Sequence, residues 1–84
     1  MIVKIFVQDQ CPNCPPAKEI GAKLEAEGQK VEYHNIKEPE GLTEGVMFDV
    51  MATPSIIVTD DSGKKEIKSF RSNVPTFEEV KELL

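Results

Sequence analysis

No stretch of this chain approaches the ~18 consecutive apolar residues of a membrane span. The apolar opening Ile2–Val7 is interrupted by Lys4 and is too short for a signal-peptide core with its cleavage site, so the expected location is cytoplasmic. Basic clusters are missing as well. The ten lysines and arginines are scattered among fifteen acidic residues, for a net charge of −5, which leaves no stripe for phosphate. Nucleic acid and membrane are therefore not expected partners, and the acidity favours basic patches on partner proteins. Cysteine and histidine are scarce, at two and one. Two cysteines fill only half of a tetrahedral zinc site, and a second C-x-x-C is absent. Repeats, linkers and low-complexity segments are also lacking.

What remains is an ordinary globular composition, 39% hydrophobic and 30% charged over 84 residues. That length predicts one domain, residues 1–84, with one modest core and no large enclosed pocket. Ile2–Val7 (IVKIFV) is apolar on both faces except at Lys4 and reads as a central strand. From Pro16 to Glu27, Ala17, Ile20, Gly21 and Leu24 mark one face of an amphipathic helix, stopped by Gly28. Lys30–Ile36 has the mixed polarity of an edge strand, and Lys37–Gly41 reads as a loop. Leu42, Val46 and Val50, with Met47 and Met51 beside them, predict a short helix weakened by Gly45.

Ser55–Thr59 is a second buried strand, and Asp60–Gly63 is the turn from which Lys65–Arg71 returns antiparallel. Thr76 and Glu79 match a capping box opening a terminal helix, with Phe77, Val80, Leu83 and Leu84 as its buried stripe. The order β-α-β-α-β-β-α predicts an α/β fold. A parallel first pair with a right-handed crossover and a closing hairpin give a mixed four-stranded sheet with three helices on both faces.

Both cysteines fall in QDQCPNCPPAK, between the first strand and the first helix. Such a pair could clip a metal, lock a structural disulfide or shuttle electrons. The cytosol disfavours the structural disulfide. Two residues three apart on a helix start have Cα atoms about 5 Å apart, inside the window for an unstrained disulfide. Dithiol and disulfide can then interconvert with little backbone motion. Cys11 precedes the helix, where unpaired N–H groups and the dipole stabilise a thiolate. Cys14 lies one turn further in and can attack a mixed disulfide formed at Cys11, so Cys11 is the expected nucleophile and Cys14 the resolving thiol. Lys18, one turn on, reads as a solvated helix-surface lysine. Pro12 suits a first helical position. Pro15 and Pro16 push their predecessors away from helical geometry, so a regular helix is expected only from about Pro15 or later. Residues 11 to 14, with Pro12 and Asn13 as spacer, form a stiff turn in this reading.

Ala52-Thr53-Pro54 stands before the third strand. With the C-x-x-C after the first strand and the same element order, it makes the whole chain resemble the thioredoxin and glutaredoxin family. The resemblance implies a thioredoxin fold, a redox-active Cys11–Cys14 disulfide without other cofactor, and a cis proline at Pro54 facing it. It also implies that the Thr53 backbone pairs with a bound substrate strand. Cys-Pro-Asn-Cys begins like the glutaredoxin motif. Gln10 stands where thioredoxins place tryptophan, and Ile5 where they keep a buried aspartate. Gln8 replaces a lysine, and Arg71–Pro75 replaces an acidic segment, that help glutaredoxins hold glutathione; glutathione is accordingly the poorest expected reductant. Phe70-Arg71 is similar to part of a segment in the small redoxins that feed electrons to ribonucleotide reductase.

The leading expectation is a monomeric dithiol oxidoreductase that reduces disulfides in a target protein and is itself restored by a reductase. The alternative is a metal or iron–sulfur module in which two chains share a cluster through their C-x-x-C pairs. A third class is a non-catalytic interaction domain with an inert disulfide. His34, on a predicted edge strand, reads as a surface histidine rather than a ligand.

Overall fold

The computed structural model describes residues 1–8, 14–50, 52–71 and 75–84, with the backbone alone at Cys14. Among these residues seven elements follow in the order β1 (Ile2–Val7), α1 (Cys14–Ala26), β2 (Lys30–Asn35), α2 (Pro39–Met47), β3 (Ser55–Thr59), β4 (Glu66–Arg71) and α3 (Phe77–Lys81). The sheet runs β2-β1-β3-β4, so β1 is central and β2 is an edge, as their polarity predicts. β1 and β2 are parallel, with Lys4 opposite Glu32 and Phe6 opposite His34. β3 runs antiparallel to both β1 and β4, pairing Phe6 with Ser55 and Ser55 with Arg71.

Alternation along β1 sends side chains to two different layers. Val3, Ile5 and Val7 pack with Ala17, Ile20 and Leu24 of α1, with Ile56 and Val58 of β3, and with Val80 of α3. On the opposite face Phe6 and Ile57 pack against Phe48, just past α2, with Ile36 and Val50 at the margin. Ile5 is fully buried in the larger of these clusters.

Several boundaries differ from the sequence reading. Helix α1 begins at Cys14 rather than about Pro15. Pro15 and Pro16 fall in its first turn, where the N–H groups have no intrahelical partner to lose. At its far end Gly28 takes φ +85, the left-handed stop expected of it. Lys37–Gly41 is shorter as a loop than its composition suggests. Asn35 Oδ1 accepts from the Lys37 N–H at 2.9 Å, Glu38 is extended, and Pro39 opens α2.

The buried face of α2 carries no large side chain. Gly41 and Gly45 face inward, while Leu42, Val46 and Met47 are 55%, 73% and 59% exposed. A Cβ on Gly41 would fall on the Asn35 backbone carbonyl, so the helix sits closer to β2 than any side chain permits. That contact fixes the rotation of α2 about its axis and turns its apolar stripe outward, Val50 excepted. The helix ends with Asp49 at φ 56 and with the Val50 N–H donating to the Gly45 carbonyl at 2.7 Å.

The terminal capping box is present in both halves. The Thr76 hydroxyl accepts from the Glu79 N–H at 3.1 Å, and the Glu79 carboxylate accepts from the Thr76 N–H at 3.4 Å. Val80 is buried, with Phe77 and Leu83 packed against the core, whereas Leu84 is at the exposed margin.

Candidate functional site

The strand register brings the end of β1 and the Thr53–Pro54 turn to one end of the sheet. β1 ends at Val7, and Cys14 is the first residue of α1, whose opening turn holds no acidic side chain. Cys11, Pro12 and Asn13 lie outside the described residues. The Thr53–Pro54 peptide is cis and leads directly into Ser55, the β3 partner of Phe6. Pro54 therefore arrives beside the end of β1, where the chain departs toward the cysteine motif. The Ser55 hydroxyl donates to the Ala52 carbonyl at 2.7 Å and holds this turn. Thr53 Oγ1 is buried with no hydrogen-bond partner among the described residues.

Arg71 reaches the same end from β4, opposite Ser55. Its guanidinium donates to the Phe48 carbonyl at 2.7 Å, to Glu66 at 2.6 Å and to the Ser69 hydroxyl at 2.5 Å. The strand before segment 72–75 is thus tied to the end of α2, from which the chain runs to Thr53. Phe70 packs against the larger core cluster.

An open groove of about 520 Å³ borders this end of the sheet. It is lined by Val7, Lys18, Tyr33, Asn35, Glu38 and Glu40 among others. Lys18 is solvated, as expected of it. The Tyr33 hydroxyl donates to Glu25 at 2.9 Å, and burial together with that carboxylate pushes the phenol up to about 12.

One polar cluster escaped the sequence reading. Lys4 is 3% exposed, on the α2 side of β1. Its ammonium lies 3.2 Å from both Glu32 and Glu44 and 5.3 Å from the centre of the Phe48 ring. His34 donates from Nε2 to Glu32 at 3.1 Å and stacks on Phe6 at 5.3 Å between centroids. Burial raises the Glu32 carboxyl, but the hydrogen bonds from His34 and Lys4 outweigh it and hold the group below the usual carboxylate value. The second Glu44 oxygen, Oε2, is buried without a partner among the described residues. The one available signal was the lysine inside an apolar strand; its two partners come from other elements. Among the described residues, no group of three or more histidine, cysteine or acidic side chains is placed to hold a metal ion.

A mixed sheet with this order, a helix opening at a C-x-x-C cysteine and a cis proline entering the third strand are the features of a thioredoxin-like redox protein. The chain belongs to the thioredoxin family: the family model described as "Thioredoxin domain" matches residues 1–84. A probable thioredoxin of Archaeoglobus fulgidus is 28% identical over 61 residues, which is 71% of this chain and 67% of that protein. Among solved structures, thioredoxin 1 of Thermosipho africanus superposes with a TM-score of 0.76 at 23% identity, covering 95% of this chain and 85% of its own. A thioredoxin from Thermus thermophilus gives 0.66 at 22% identity, covering 98% and 69%. These likenesses establish the α/β thioredoxin-like fold. No helix among the described residues is long and apolar enough to cross a membrane.

Proposed function

We propose that this protein reduces disulfides in a target protein by thiol–disulfide exchange through Cys11 and Cys14. The observation that supports the reading is that α1 opens at Cys14, the second cysteine of the C-x-x-C sequence, in a chain that matches the thioredoxin family over its whole length. The Cys11 thiolate attacks one sulfur of the target disulfide, forming a mixed disulfide and expelling the other sulfur as a thiolate. The Cys14 thiolate then attacks Cys11, closing the Cys11–Cys14 disulfide and releasing the second target sulfur. Two electrons pass from the dithiol to the target, and the two expelled thiolates take up protons. A reductase returns the electrons.

The helix opening supports Cys11 as the attacking thiol, because free N–H groups and the positive dipole end favour a thiolate nearby. Pro12 and Asn13 set the geometry of the turn in this reading. Pro54 and the Thr53 backbone offer an extended target segment an edge to align on. The Phe70-Arg71 likeness to the redoxins serving ribonucleotide reductase adds no support, since Arg71 is held by Glu66 and Phe48 and Phe70 by the core.

The test is trapping. Cys14→Ser should accumulate a mixed disulfide through Cys11 with a disulfide protein such as insulin, while Cys11→Ser should trap nothing and lose activity. If the Cys14 variant forms no mixed disulfide, the assigned roles are wrong. A reductant panel of glutathione with its reductase, flavin-dependent thioredoxin reductase and ferredoxin-dependent reductase should rank glutathione last.

A further inference from the structure

Helix α2 presents Leu42, Val46 and Met47 to solvent. Leu42 and Val46 are one turn apart and therefore adjacent, and Met47 is exposed farther round the helix, beyond Thr43. This orientation is not a matter of a loosely packed helix. The inward face is locked by the approach of Gly41 to the Asn35 backbone. The strip cannot rotate into the core without lifting the helix off the sheet. Apolar side chains held outward in this way offer a docking face.

The charge around it identifies the kind of partner. From Glu38 to Ala52 the sequence carries Glu38, Glu40, Glu44 and Asp49, and neither lysine nor arginine. Glu38, Glu40 and Asp49 are exposed, and Glu44 is the partner of Lys4. Met47, Glu40 and Glu44 also line a shallow groove of about 330 Å³ with His34 and Thr43. The surface thus has an apolar centre and an acidic rim. A second copy of this chain would set acid against acid, and anionic bilayers and nucleic acid would be repelled in the same way.

We propose that the outer face of α2 docks the disulfide-bearing target protein, through a surface on that target that is apolar at its centre and ringed by lysine or arginine. The inference rests on the exchange reading for the identity of the target. The docking itself does not need the cysteines. α2 leads through Phe48 and Asp49 to the Thr53–Pro54 turn, so a target seated on α2 lies next to the end of the sheet that receives it.

The test uses a short amphipathic peptide with leucines on one face and flanking lysines, carrying one cysteine as its thionitrobenzoate mixed disulfide, and a control with glutamates for lysines. At low ionic strength the cationic peptide should be reduced about tenfold faster than the acidic one, and the ratio should fall toward one at high salt. Leu42→Ser with Val46→Ser should remove most of the ratio, and so should Glu40→Gln with Asp49→Asn, with circular dichroism checking the fold. Titration of the labelled protein with the serine form of the cationic peptide should shift the Leu42, Val46 and Met47 methyl signals. A ratio unchanged in both double variants overturns the proposal. So do shifts centred elsewhere than α2, or self-association through this face seen by sedimentation. If wild-type protein reduces neither peptide while the methyl signals shift, the exchange reading fails and the docking surface stands.

Discussion

Lys4 of β1 and Glu44 of α2 meet at 3.2 Å beside the layer built on Phe6, Phe48 and Ile57. A buried ion pair is weak support for stability as a whole, but removing one partner leaves the other charge without compensation. Lys4→Met should destabilise the protein by about 2 kcal/mol, below the usual range for buried pairs because both carboxylates keep some solvent. The double variant Lys4→Met, Glu44→Leu should recover most of that loss. Urea unfolding of the four proteins in the cycle measures it, and additive losses would show that the two residues do not interact.

Acid should weaken the fold partly through Glu32. Its folded-state carboxyl lies below the ordinary value of 4.5, so its contribution is fully present above that pH and is lost as pH falls through the lower folded value. Glu32→Gln should therefore flatten the acid limb of the stability curve while lowering stability at neutral pH. Denaturant midpoints between neutral pH and pH 3 give the comparison, and parallel curves would exclude Glu32 as a contributor.

The alkaline side can be read optically. Tyr33 is the one tyrosine, and tryptophan is absent, so absorbance near 295 nm reports a single phenol. It should titrate near 12 rather than 10. A raised phenol contributes stability that is present below the unfolded value of 10 and is lost as pH rises through the folded one. Glu25→Gln should bring the midpoint down toward 10; no movement would mean that burial alone sets it.

The two inward glycines of α2 should respond in opposite directions. Gly41→Ala places a methyl against the Asn35 carbonyl and should cost about 3 kcal/mol or force the helix outward. At Gly45 the nearest atom to a new Cβ is the Ile36 methyl at 3.6 Å, an ordinary contact. Gly45→Ala should therefore be stabilising, by up to about 1 kcal/mol from helix propensity. Thermal melts of the pair decide it, and equal losses would mean that both positions are equally tight.

Features governed by near neighbours in sequence were legible. The capping box, the left-handed glycine after α1 and the hairpin at Asp60–Gly63 each depend on a few adjacent residues, and the central strand on an unbroken apolar run. The cysteine spacing and Thr53-Pro54 pointed to the family for the same reason. The face of α2 was not legible, because spacing says which residues share a side and not how close a strand's backbone will come. Lys4 was visible as an anomaly only. Its partner Glu44 lies forty positions away, and the strand register that supplies Glu32 is a property of the sheet.

The hairpin has a practical corollary. β3 runs from the Pro54 end to Thr59, and the turn beyond it is closed by its own bonds, with Asp60 accepting from the Ser62 N–H at 3.1 Å and from its hydroxyl at 2.5 Å. The amino group of Met1 pairs with Asp61 at this same pole. Five strand residues place the pole about 17 Å from the Pro54 end. A fluorophore or surface tether at Ser62 would thus leave the opposite end open, and the molecule could be immobilised on an electrode or bead with its Pro54 end facing outward.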